Sequence, residues 1–139
     1  MGNIDIVHAV TDAVNAHQWD TLASLLTDDF IFSGATPEPI GKQEFIAGQQ
    51  QWAVGVPDWH LAQENVREEG STVKATSRLS GTQTNTLALP MTPPIPPTGK
   101  HFSATMAATV TFREGKLAAL SVVPDSPGIF EQLGVQPPA

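Results

Sequence analysis

At Trp59 the hydrophobic period of this chain changes from about 3.6 residues to 2, and that change divides the sequence into two kinds of structure. Upstream, Ile6, Val10, Ala13, Val14 and His17 recur at helical spacing, with Asp5, Asp12 and Asn15 on other faces, which predicts a first helix. Asp20 is expected to cap a short second helix that buries Leu22, Leu25 and Leu26, with Trp19 as the hydrophobic staple before it. Phe30-Ile31-Phe32 reads as a short strand closed by Ser33-Gly34. Lys42 to Val54 reads as a third helix with Phe45, Ile46, Trp52 and Ala53 on one side, stopped by Pro57-Asp58. Downstream, alternation predicts four long strands at about 58–68, 72–83, 100–113 and 116–124, with Glu69-Gly70 and Glu114-Gly115 as tight turns. Helices first and strands last make an α+β domain, with helices packed on one face of a curved sheet and a cavity between the layers. The 139 residues carry no internal repeat and no boundary, so residues 1–139 read as one domain.

Charge and missing residue types then exclude whole function classes. Seven Lys/Arg against 14 Asp/Glu leave a net charge of −7, with no basic patch for nucleic acid or an anionic membrane surface. No apolar run approaches the roughly 20 residues of a membrane span. Met1-Gly2-Asn3-Ile4-Asp5 lacks the basic start and apolar core of a signal peptide, so a cytoplasmic location is expected. The absence of cysteine removes disulfides, thiolate nucleophiles and thiolate metal sites. The four histidines (His8, His17, His60 and His101) have no metal-ligand spacing, and neither a phosphate-cradling Gly loop nor a G-x-S-x-G elbow occurs.

The last predicted hairpin supplies the leading candidate. A two-residue Glu114-Gly115 turn places Phe112 opposite Leu117, Val110 opposite Ala119, Ala108 opposite Ser121, Met106 opposite Val123 and Ala104 opposite Asp125. Asp125 is then the lone ionisable group on an apolar face. Desolvation there raises a carboxyl above its reference pKa of about 4, toward general-base strength near neutral pH. Alternatively, Asp125 caps the turn that follows, with Pro127 at the first helical position. His60, at a strand start, faces either way; if inward, it relays a proton with Asp125 or polarises a carbonyl. Gln83 and Arg78 are candidates to hydrogen-bond a substrate carbonyl or carboxylate, Arg78 equally a solvated ion pair. Trp52, Trp59 and Met106 either line a cavity for a flat apolar ligand or pack as core. Five prolines between Pro90 and Pro97 cannot pair as an inner strand, and residues 90–99 are expected to loop over the mouth of the pocket or to form a stiff connector.

His17-Gln18-Trp19-Asp20 with Leu22, Leu25-Leu26 and Asp28-Asp29-Phe30 resembles the opening of the cone-shaped α+β fold of ketosteroid isomerases and nuclear transport factors. Further on come Arg78-Leu79-Ser80-Gly81-Thr82-Gln83-Thr84, Pro96-Pro97-Thr98-Gly99-Lys100, Phe112-Arg113-Glu114-Gly115-Lys116-Leu117, Asp125-Ser126-Pro127-Gly128 and Gln132-Leu133-Gly134, in that order. Together they resemble the SnoaL-like polyketide cyclases, or ester cyclases, over essentially the whole chain. The resemblance implies a curved mixed or antiparallel sheet wrapped around three N-terminal helices. It also implies intramolecular aldol closure of an aromatic polyketide ester without metal or organic cofactor, with Asp125 as acid/base. Family members commonly have His where this chain has Gln83, Trp in place of Ser121 and Glu in place of Ala119. The resemblance implies a dimer or tetramer, and the uncharged outward face of Ala107, Thr109 and Thr111 fits a covered surface, so the expected partners are a small apolar or aromatic molecule and a second copy of the chain in a symmetric homodimer. A ketosteroid isomerase reading lacks its tyrosine, and an epoxide hydrolase reading lacks a placed second acid beside Arg78 and Asp125. A binding module without catalysis is the remaining alternative.

Overall fold

The computed structural model describes residues 2–35, 38–89, 93–124 and 128–134. The element order is α1 (Asn3–Asn15), α2 (Trp19–Ser24), β1 (Leu26–Ser33), β2 (Ile40–Gly41), α3 (Lys42–Gly55), β3 (His60–Glu69), β4 (Thr72–Thr82), β5 (His101–Arg113), β6 (Lys116–Pro124) and α4 (Ile129–Leu133). The strands form one curved, open six-stranded sheet in the order β2-β1-β6-β5-β4-β3. Every neighbour is antiparallel except the β1/β6 pair, which is parallel. Among the described residues no helix is long and apolar enough to cross a membrane.

The first helix is amphipathic as expected, burying Ile6, Val7, Val10, Ala13 and Val14. It ends in a Schellman motif: the Gln18 N–H donates to the Ala13 carbonyl and the His17 N–H to that of Val14, while His17 takes φ +56°. His17 is therefore a helix terminator, and its ring stacks on Trp19 at 5.6 Å. The second helix starts earlier than expected: Gln18 occupies its N-cap and Asp20 lies inside the first turn. Acidic charge there still complements the helix dipole. Phe30 and Phe32 of β1 both pack on Phe45 of α3, tying the sheet to the third helix.

The hairpin turns differ in accuracy. Glu114 and Gly115 both have positive φ, as a type I′ turn requires. The other turn is centred one residue later than expected, because Glu69 pairs with Thr72 and leaves Gly70-Ser71 as the loop. The largest correction concerns β6. A bulge lies between the Thr111↔Ala119 and Phe112↔Leu117 pairs, so Val110 faces Leu120, Ala108 faces Val122 and Met106 faces Pro124. Leu117, Leu120 and Val122 therefore share the concave face, whereas Ser121 and Val123 are exposed. Strand alternation alone does not carry Asp125 to that face, and Asp125 itself lies outside the described residues.

Side-chain carboxamides complete the sheet where strands lose neighbours. Asn15 at the end of α1 both donates to and accepts from the Leu61 backbone on edge strand β3, at 2.8 Å each way. Beyond the end of β6, Gln132 of α4 makes the same two-way contact with the Ser103 backbone of β5, at 2.9 Å. Gly134 then closes α4 in the left-handed conformation. This gives the Gln-Leu-Gly element its physical meaning.

Gly34 holds the closest backbone approach in the sheet. Its φ is +105°, and a Cβ there would come within 1.8 Å of the Val122 carbonyl oxygen. Gly34→Ala is expected to cost about 3 kcal/mol or more and to lower the thermal midpoint by on the order of 10 °C. Gly48→Ala is expected to do the opposite, gaining about 0.5–1 kcal/mol, because Gly48 is helical with nothing within 4 Å of a new Cβ. Calorimetry on the two variants reads the sign directly.

Candidate functional site

A cavity of about 80 Å³ lies between α1, α3 and the concave face of the sheet. Its wall is almost wholly apolar, with Val10, Val14, Phe32, Phe45, Met106 and Leu120 among its lining. The polar lining side chains are Thr11, Gln49, Gln63 and Ser77, and none of the described lining residues is ionisable. For scale, an engineered apolar cavity of about 150 Å³ accepts benzene. A single aromatic ring therefore already requires the lining to move, and a fused-ring ligand more so.

The four polar groups are held in a defined order. The Thr11 hydroxyl donates to the Val7 carbonyl at 3.0 Å, the usual back-bond of a helical threonine. Its oxygen is then left to accept, so the Gln63 group facing it at 3.3 Å is the amide nitrogen. That orientation turns Gln63 Oε1 to the Ser77 hydroxyl, which donates at 2.8 Å. On the other side, the Trp59 indole N–H, a donor only, donates to Gln49 Oε1 at 3.3 Å. Gln49 is thereby fixed with its amide nitrogen away from the indole. Neither glutamine stands out in the sequence as a site residue. The available signal was alternation in β3, which puts Gln63 on the same face as Leu61.

The residues singled out from sequence divide differently. Met106 lines the cavity. Trp52 and Trp59 do not; they stack on each other with centroids 4.8 Å apart and pack against Phe102, which makes them core behind Gln49. Their rings find a cheaper environment against one another than across a narrow cavity. His60 is exposed, on the strand face opposite Leu61. Arg78 is on the outer face as well, making a two-pronged contact with Glu64 across the strands at 3.2 and 3.3 Å. The pairs on this surface are solvated, as is Arg113 with Asp29, whose carboxyl is held below its ordinary value chiefly by that guanidinium.

Gln83 corrects the sequence expectation most directly. It is fully buried and committed to the proline-rich loop. Its amide nitrogen donates to the carbonyls of Asn85, Ile95 and Pro96, and its oxygen accepts the Thr98 N–H and hydroxyl. It has no donor left for a substrate. The loop is a closed structure around this amide, with Leu87 bridged to Ile95 and Asn85 bonded to the carbonyls of Val54 and Gly55 at the end of α3. None of its described residues lines the cavity. Residues 90–92 lie outside the described residues.

Removing the amide strands several buried partners at once. Gln83→Ala is expected to cost about 2–4 kcal/mol and to speed hydrogen exchange at the Thr98 amide. Arg78→Ala is expected to change stability by no more than about 1 kcal/mol, because its partner is solvated. Denaturant titration of both variants, with exchange read by NMR, checks the contrast.

Residues 7–120 match the SnoaL-like domain family. Over 135 residues the chain is 27% identical to the aklanonic acid methyl ester cyclase DauD of Streptomyces sp. (strain C5), covering 94% of this chain and 81% of that protein. A protein from Jannaschia sp. CCS1, assigned as a SnoaL-like polyketide cyclase, superposes with a TM-score of 0.79 at 20% identity, over 97% of this chain and 93% of its own. TsrD from Streptomyces laurentii gives 0.78 at 22% identity, over 98% and 99% of the two chains. The two structures speak for the fold, and the family match runs from within α1 into β6, over most of the 139 residues: the chain belongs to the SnoaL-like domain family.

Proposed function

We propose that the protein is a cofactor-independent acid/base enzyme of the polyketide-cyclase kind, closing a ring in an apolar ester by intramolecular aldol condensation. The observation that carries this reading is the apolar cavity with its uncharged polar lining, in a SnoaL-like chain alignable over nearly its full length with an ester cyclase. In the proposed reaction Asp125 takes a proton from a carbon flanked by carbonyl groups. That carbon attacks a ketone of the same molecule, forming the new C–C bond, and the resulting alkoxide recovers a proton from the Asp125 carboxyl. Substrate and product are isomers, so the step calls for no oxidant or reductant. Pro124, the last described residue of β6, pairs with Met106 of the cavity wall, and Asp125 is next in sequence. Entry of a fused-ring ester widens the cavity, most readily through Met106, whose unbranched side chain repacks at little cost.

Aklanonic acid methyl ester, the compound in the relative's name, is the first substrate to try. Conversion to an isomer of unchanged mass, separated by chromatography, supports the reading; a rate equal to buffer sinks it. Asp125→Asn is expected to lower the rate by about 10²–10⁴, while His60→Ala leaves it unchanged. An Asp125→Asn variant with full activity overturns the assigned acid/base. The absence of an ionisable group from the described lining favours one second reading, a carrier that binds an apolar molecule without turning it over. Tight binding with no isomerisation selects it.

The proposal includes a symmetric homodimer formed through the outer sheet face. Val123 and Ile31 are exposed there, paired across the strands with Ala107 and Ala119. Light scattering at micromolar concentration is expected to give twice the chain mass, and a monomer mass contradicts the dimer.

A further inference from the structure

We infer that Gln49 and Gln63 are the ligand-recognition residues of the cavity, and that their amide N–H groups bind a carbonyl oxygen of an uncharged ligand. The inference rests on the apolar-ligand reading above and deepens it by naming the chemistry recognised. Each carboxamide is locked by a partner that leaves only one orientation. The Trp59 indole can only donate, so Gln49 offers it oxygen and keeps both amide hydrogens without a partner among the described residues. Thr11 has spent its hydroxyl hydrogen on the Val7 carbonyl, so Gln63 offers it nitrogen, and Ser77 takes the Gln63 oxygen. One amide hydrogen of Gln63 then remains without a partner among the described residues. Both side chains line the cavity, which thus presents N–H donors whose direction is set before any ligand arrives.

The chemistry of these donors defines what they accept. Both side chains are half-buried, and a ligand that displaces water from their N–H groups without offering an acceptor leaves those groups unpaired, so one that brings an acceptor gains more than one that brings only hydrocarbon. A carboxylate also brings an acceptor, but it must shed its water in a cavity whose described lining holds no cation. An ester or ketone satisfies the donors without that cost. In the proposed cyclisation the same N–H groups stabilise the negative charge that develops on the attacked carbonyl oxygen, an assignment that passes from Gln83, whose hydrogens are committed to the 85–96 carbonyls, to Gln49 and Gln63.

Methyl benzoate, benzoate and ethylbenzene share one ring and differ in the group the donors read, so they serve as probes. Calorimetric titration of the full chain near pH 7.5 is expected to show methyl benzoate binding at least about tenfold tighter than benzoate. Gln49→Leu and Gln63→Leu, made separately, are each expected to weaken methyl benzoate by about five- to tenfold while leaving ethylbenzene unchanged or tighter. Infrared spectra of carbonyl-labelled methyl benzoate give a readout that packing does not move: in wild type the bound carbonyl band shifts to lower frequency, and each variant reverses part of the shift. The inference is overturned if methyl benzoate does not bind, if it binds no better than ethylbenzene in wild type, or if its carbonyl band is the same in wild type and both variants. Failure of the cyclase reading is separately visible. A protein inactive on aklanonic acid methyl ester whose bound probe shows the donor-dependent shift loses the reaction and keeps the recognition site. An active protein with a donor-independent carbonyl band does the reverse.

Discussion

An open sheet curved around helices has backbone N–H and C=O groups where strands run past their neighbours, and buried groups of this kind must find partners. In this chain side-chain carboxamides supply them. Asn15 stands in for a missing strand beside Leu61, and Gln132 does so beside Ser103. At the end of α3 the Asn85 carboxamide donates to the Val54 carbonyl, and its backbone N–H donates to that of Gly55. A carboxamide suits the task because it carries a donor and an acceptor side by side, as a peptide group does, with no charge to desolvate. These contacts tie α1 to β3 and α4 to β5. The cavity exists because α1 is held at the rim by Asn15 while its Val10 and Val14 face inward.

The same group type serves in the interior with two different outcomes. Gln83 is saturated, and it acts as the hub of a loop that its own prolines could not hold by strand pairing. Gln49 and Gln63 are each held by neighbours that leave amide hydrogens uncommitted. The difference between a structural and a recognising amide here is a count of hydrogens, decided by whether the neighbours are donors or acceptors. Trp59 thus influences the cavity without lining it, by its effect on the direction of Gln49.

Much of this architecture was legible in the sequence. The change of period at Trp59 separated the helices from the long strands, and Glu114-Gly115 fixed a type I′ turn, because those signals are local and short-ranged. Register in β6 was not legible. The extra residue at Ala118 reverses the inward set from Ala119 and Ser121 to Leu120 and Val122, and a bulge in an Ala-rich run leaves no mark in composition. The candidate site suffered from the same limit. Gln83 and Arg78 lie on one strand and its extension, and nothing in their spacing distinguishes a buried, bonded amide from a surface ion pair. His17 continues the apolar spacing of the first helix, and only its positive φ marks it as the terminator. Partners such as Asn15 with Leu61 are 46 residues apart, beyond any local pattern.

Charge placement joins these points. The 14 acidic residues outnumber the basic ones two to one, yet the described cavity lining contains none of either sign. Negative surface charge favours solubility and repels anions, and it adds to the desolvation cost that any carboxylate ligand meets on entering an apolar site. A free acid is therefore opposed twice, once by the long-range field and once by the lining, whereas its ester meets neither barrier and finds oriented donors. In the proposed reading, selection against the charged form follows from the lack of a cation in the described lining, and recognition of the neutral form from the amide hydrogens that Trp59 and Thr11 leave unused.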